Sequence, residues 1–165
     1  MNWTSGFLVL SLLLSGCGFQ LRGALQLPRN LAVYVEATQA PQTGVLLSQH
    51  LQEQGVVLAN TAKTAAWVLH LTQETINRRV LSVSAFSGKM EEIELSHGLD
   101  FSVSRPDGSV LLAKQRVNFQ RELSFDAQAV LAKDNEEQLL RQDMQREVVA
   151  QVLRQLSVLS QRTAP

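Results

Sequence analysis

The chain has 165 residues, with 15 basic and 15 acidic side chains and a formal net charge of +0 at neutral pH. That balance lacks the basic excess of a nucleic-acid binder, and the single cysteine excludes an internal disulfide and a cysteine-built metal centre. The length suits one compact domain and is short for two.

The chain opens with Met1-Asn2-Trp3-Thr4, whose only positive charge is the terminal amine, followed by an uncharged run from Phe7 to Leu14. This run has the length of a signal-peptide apolar core and is too short to span a bilayer as a mature helix. Leu14-Ser15-Gly16-Cys17 follows, a leucine three residues before cysteine with two small residues between, which is the bacterial lipobox pattern. The expectation is a lipoprotein signal peptide at residues 1–16, cut before Cys17. The Cys17 thiol then carries diacylglycerol and its new amine a further acyl chain. The other reading is an ordinary secretory leader with an incidental cysteine, or a buried structural cysteine. Three acyl chains give stable membrane attachment where one is marginal. Gly18 in place of Asp favours the outer membrane of a Gram-negative cell. Residues 17–30, with Gly18, Gly23, Pro28 and Asn30, read as a lipidated N-terminus and linker, and residues 31–165 as a single α+β domain.

Leu31-Ala32-Val33-Tyr34-Val35 reads as the first strand. Thr43 is expected to cap a helix through Gln54, with Leu47 and Leu51 one turn apart and Gly55 as its stop. His50 reads as a helix-surface or boundary residue. Val56 to Ala59 extends or precedes the next strand, and residues 60–64 form a loop.

From Ala66 to Ser84 the pattern predicts one long strand, with Trp67, Leu69 and Leu71 on one face and Val68, His70 and Thr72 on the other. Its middle, Gln73 to Arg79, is polar on both faces, and Leu81 and Val83 are expected to resume the first face. Such a strand runs past the edge of its own core, into solvent or against a partner. Gly88 turns the hairpin. In the next strand Ile93, Leu95, His97, Leu99, Phe101 and Val103 alternate with Glu94, Ser96, Gly98, Asp100, Ser102 and Ser104, giving one buried and one wetter face. Arg105-Pro106-Asp107-Gly108 makes a turn. A strand from Ser109 to Phe125 follows, with Leu111, Ala113, Val117, Phe119, Leu123 and Phe125 on one face.

Asp134 and Glu137 have the spacing of a capping box at the start of the last helix. Leu140, Met144, Val148, Val152, Leu156 and Leu159 make its apolar stripe, joined by Val149 and Leu153. The order β-α-β-β-β-α predicts an α+β two-layer sandwich, two helices on one face of a four-stranded mixed or antiparallel sheet.

The sequence offers no catalytic constellation. His50, His70 and His97 lack metal-ligand spacing, His97 falls on an apolar strand face as a satisfied core or boundary imidazole, and there is no G-x-S-x-G, P-loop or G-x-G-x-x-G. No cofactor is implied beyond the acyl chains on Cys17. Arg78, Arg79 and Lys89 flank the long hairpin, and Lys133 precedes the last helix, in the loop before it. These four cations are either solvated tips or an anion-binding edge, depending on whether they meet in space.

Cys17-Gly18-Phe19-Gln20-Leu21-Arg22-Gly23 resembles the mature start of the LPS-assembly lipoproteins of the LptE family, and Val130-Leu131-Ala132-Lys133-Asp134-Asn135-Glu136 resembles their segment leading into the last helix. The resemblance covers essentially the mature chain, while the hairpin around Phe86-Ser87-Gly88-Lys89 matches in character alone. It implies a non-enzymatic small subunit of the outer-membrane lipopolysaccharide translocon. Such a subunit sits as a plug in the lumen of a large LptD-like β-barrel, one per barrel, helps it assemble and binds lipopolysaccharide. The anchor would hold it on the inner leaflet of the outer membrane, and a wet lumen suits a strand polar on both faces. Basic tips, with Lys89 and Lys133 foremost and Arg78 and Arg79 beside them, suit lipid A phosphates. The rival reading is an auxiliary lipoprotein of another envelope lipid-transport complex; an anchored periplasmic enzyme lacks a site.

Overall fold

The computed structural model describes residues 27–124 and 130–163. The leader, Cys17 and the Cys17–Gly23 motif lie outside the described residues, as does Phe125. Among the described residues, five strands and two helices follow in the order β1 (Ala32–Glu36), α1 (Pro41–Glu53), β2 (Val57–Leu58), β3 (Trp67–Val83), β4 (Met90–Ser104), β5 (Val110–Ser124) and α2 (Val130–Thr163), with a 3-10 turn at Ala62–Thr64.

The sheet is mixed, in the order β2-β1-β3-β4-β5. β1 is parallel to both β2 and β3, while β3, β4 and β5 form an antiparallel meander. The fifth strand corrects the expected count of four. Gly55, at φ +81°, turns the chain out of α1, and Val57 and Ala59 then donate to the Leu31 and Val33 carbonyls at 3.0 and 2.9 Å. Two residues are too few for the sequence pattern to show a strand, yet they suffice to cover one side of β1.

Both helix starts differ from expectation. α1 begins at Pro41, with Ala40 as its cap; proline suits the first helical position because its missing N–H has no partner there anyway. Thr43 is thereby buried inside the first turn. α2 starts at Val130, so Asp134 lies within it instead of capping it. Leucine, alanine and lysine before Asp134 are good helix formers, so the helix propagates through them.

The expected stripes of β4 and α2 hold, whereas on β5 register shifts before Gln115 pair Leu112 with Val103 and leave Ala113 exposed. On β4, Ile93, Leu95, His97, Leu99, Phe101 and Val103 are all buried, and on α2 Met144, Val148, Val149, Val152, Leu153, Leu156 and Leu159 are buried against them. The main core joins Leu47 and Leu51 of α1 and this α2 stripe to Leu69, Leu71, Leu99 and Phe101, and reaches back to Leu27. A smaller core of Ile93, Leu95, Leu123 and Met144 lies toward the β3–β4 hairpin, with Met90, Phe119 and Leu140 half-buried around it.

Beyond the main core β3 changes face. The register shifts by one residue between Thr72 and Thr75, where Gln73 adopts φ +49°. Ile76, Arg78 and Val80 then pair with His97, Leu95 and Ile93, on the helix-covered side. Two further register shifts follow Val80 and set Val83 opposite Met90, yet Leu81 and Val83 stay exposed beyond the small core. An extra residue reverses the alternation of a strand, and a run polar on both faces gives no pattern from which to read the reversal.

Candidate functional site

The four cations read from the sequence occupy the end of the molecule that carries the β3–β4 hairpin, and they divide there. Arg78, on the helix side of β3, donates from Nε to Glu137 of α2 at 3.2 Å and from Nη2 to Met90 Sδ at 3.4 Å. It therefore ties the base of the hairpin, next to Lys89, to the helix turn that follows Lys133. Glu137 also accepts from Arg141 at 2.6 Å. Burial pushes the Glu137 carboxyl up, but the hydrogen bonds from Arg141 and Arg78 outweigh it and hold it below the usual carboxylate range.

Arg79 faces the opposite side of the sheet and pairs with Glu94 at 3.2 Å. Lys133 is in α2 rather than in a loop before it, and pairs with Glu136 one turn on at 2.8 Å. Lys89 is exposed in the hairpin turn; its backbone N–H donates to Ser87 Oγ, and its ammonium has no ion pair among the described residues. Phe86, in the same turn, is fully exposed.

A second arrangement was not legible in the sequence. His97, Glu74 and Thr43 meet between the two cores. His97 Nε2 donates to Glu74 Oε1 at 2.8 Å, Thr43 Oγ1 donates to the same carboxylate, and Gln145 Nε2 donates to Thr43 Oγ1 at 3.3 Å. His97 and Thr43 are buried. His97 is thus a satisfied imidazole, as its place on an apolar face suggested. Its partner stayed hidden because Glu74 reaches it through the bulge. Beside this seam opens a cleft of about 340 Å³, lined by Ile76, His97, Gln138, Arg141, Met144 and Gln145 among others.

The outer face of the sheet is polar. Asp100 is nearly buried there, accepting from Lys114 Nζ at 2.8 Å and from Arg116 Nη1 at 2.9 Å. Arg116 also reaches Thr75 Oγ1 at 3.0 Å across Gly98, where a Cβ would stand 2.8 Å from both groups. Among the described residues no group of three or more His, Cys, Asp or Glu side chains is placed to hold a metal ion. No described helix is long and apolar enough to cross a membrane.

A sequence model of a family described as "LptE: Lipopolysaccharide-assembly" matches residues 31–156, from β1 through most of α2. The chain belongs to the LptE family. An LPS-assembly lipoprotein LptE of Photorhabdus laumondii is 31% identical over 148 residues, covering 88% of this chain and 79% of that protein. The solution structure of an uncharacterized lipoprotein B from Nitrosomonas europaea superimposes with a TM-score of 0.74 at 31% identity, covering 87% of this chain and 93% of that one. Rare lipoprotein B from Shewanella oneidensis shares the fold, with a TM-score of 0.65 at 21% identity over 77% and 94% of the two chains. The LptE match includes Arg78, Arg79, Lys89 and Lys133 and begins after Cys17.

Proposed function

We propose that this LptE-family chain acts without catalysis in lipopolysaccharide assembly, anchored to the inner leaflet of the outer membrane through acyl chains on Cys17 and seated in the lumen of a large β-barrel partner, one copy per barrel. The observation that carries this reading is the family match across residues 31–156, in a chain that also has the lipobox Leu14-Ser15-Gly16-Cys17. The polar outer sheet face supports it, since a barrel lumen is lined by polar side chains.

In this reading lipid A phosphates meet the hairpin end. Lys89 leads, because its ammonium is exposed and has no ion pair among the described residues. Lys133, Arg78 and Arg79 contribute after exchanging or sharing carboxylate partners. No cofactor beyond the acyl chains takes part.

The test is affinity purification of the full-length protein from detergent-solubilised outer membranes. The expected result is a very large β-barrel in equimolar amount, with mass spectrometry placing the mature N-terminus at an acylated Cys17. An inner-membrane transporter in its place would support an auxiliary subunit of another envelope lipid-transport complex. An unmodified thiol would remove the anchor. Cys17→Ala is expected to leave an unprocessed or mislocalised precursor.

A further inference from the structure

β3 is 17 residues long, and among the described residues it is bordered on the side away from β4 only at its beginning. β1 pairs with it in parallel from Val33↔Trp67 to Glu36↔His70 and ends there. The Gln73 N–H is taken by Gln39 Oε1 at 3.0 Å. From Thr75 to Val83 no strand among the described residues lies on that side. A strand edge of this kind presents a row of backbone donors and acceptors that only another extended chain can pair throughout.

Side chains along this edge are sorted by face. Ile76 and Val80 point to the helix side, where their partners His97 and Ile93 are buried, yet they remain 53% and 45% exposed. α2 packs over β4 and β5, leaving this flank of β3 open. Ile76 forms part of the cleft, and Arg141 stands in the cleft wall. Arg78 lies between Ile76 and Val80 on the same face. Thr75, Asn77 and Arg79 face the polar outer side. The other long edge, β5, carries Lys114, Arg116, Arg121 and Glu122, and Val110 at its start is its only large apolar side chain among the exposed ones.

We propose that the edge of β3 from Thr75 to Val83 is a docking edge for an extended segment of a partner protein, which adds a strand in line with β1. Its alternate side chains drop beside α2: apolar ones against Ile76 and Val80, with a carboxylate between them that joins Glu137 in sharing the two guanidiniums of Arg78 and Arg141. Its other side chains are polar and continue the outer face. A lipid could cover Ile76 and Val80 but would leave the backbone row unpaired, so the edge selects a polypeptide. This inference shares Arg78 with the lipopolysaccharide reading but rests on the open strand edge, which would exist in a chain that bound no lipopolysaccharide.

The test uses full-length protein in dodecyl maltoside micelles and a capped synthetic peptide, Ser-Thr-Val-Thr-Glu-Thr-Val-Thr-Ser, whose palindromic sequence presents the same side chains in either strand direction. Binding is expected to slow hydrogen exchange in Thr75–Val83 and leave β5 unchanged. A peptide with lysine for glutamate should bind roughly tenfold more weakly, and so should the Ile76→Lys, Val80→Lys double variant with the original peptide. Both substituted side chains are already half-exposed, so unchanged circular dichroism is expected. The proposal falls if no binding occurs up to millimolar peptide, if protection appears on β5, or if the double variant binds equally well. It also falls if the Thr75–Val83 amides that point away from β4 are protected before peptide is added, whether by a second copy or by another part of this chain, or if dodecyl phosphate occupies the cleft and the peptide does not.

Discussion

Asp100 shows what one residue can hide. It alternates onto the wetter face of β4, yet it is nearly buried, because Lys114 and Arg116 lay their stems across the sheet to reach it. The hydrogen bond from Lys114 leads the effects that keep its carboxyl below the usual range, against the opposing effect of burial. A folded-state value below the unfolded one means that the stabilisation is complete above the ordinary carboxylate range and is lost as pH falls through the folded value. Urea unfolding followed from pH 7 to pH 3 is therefore expected to show a shallower loss of stability in Asp100→Asn than in the parent. Equal slopes would remove Asp100 from the acid response. Its neighbour Phe101, fully buried in the main core, is expected to lose roughly 3–5 kcal/mol as Phe101→Ala, whereas half-buried Ser102→Ala should change little. Equal denaturation midpoints would contradict the register of β4. Phe101 could be read from the sequence because strand alternation is local. The partners of Asp100 could not, since they stand a strand away.

At the scale of elements, what the sequence revealed depended on unbroken periodicity. The β4 alternation and the α2 stripe run long enough to announce themselves. Thr43 has a cap's chemistry, but its hydroxyl serves Glu74 on another element and α1 starts at Pro41 instead. The bulge in β3 is silent in the sequence for a related reason: Gln73 to Arg79 is polar on both faces apart from Ile76, so a one-residue slip leaves no mark. That slip brings Glu74 against His97 and Thr43, and their seam joins α1, β3, β4 and α2 between the two cores. Glu74→Ala would leave a buried imidazole N–H and a buried hydroxyl without their acceptor, at about 1–3 kcal/mol for each such group. Glu74→Gln keeps one carbonyl oxygen and should recover part of the loss. If thermal unfolding gave the same midpoint for Glu74→Ala as for the parent, the seam would not be holding the layers together.

For the whole molecule, the arrangement separates two surfaces along one sheet. The main core fixes the β1–α1 end, and the small core carries β3 and β4 out to a hairpin with few apolar supports, where Leu81, Val83 and Phe86 are exposed beside Lys89. Arg78 and Glu137 brace that hairpin against α2, so the tip is held in place even though its own residues bury little. Of the two lysines foremost among the basic tips, Lys133 already has Glu136 at 2.8 Å, while the Lys89 ammonium has no ion pair among the described residues. Charge reversal at Lys89 alone is then expected to weaken lipopolysaccharide binding most. Adding Lys133→Glu should deepen the loss, because it also sets two carboxylates one helical turn apart. Both effects should be larger at low salt, where exposed charges are least screened. Exposed loop charges contribute little to stability, so the Lys89→Glu variant should keep its circular dichroism and unfolding midpoint. A variant with unchanged folding and unchanged lipopolysaccharide affinity across salt concentrations would return Lys89 to the solvated surface and move the phosphate contact elsewhere.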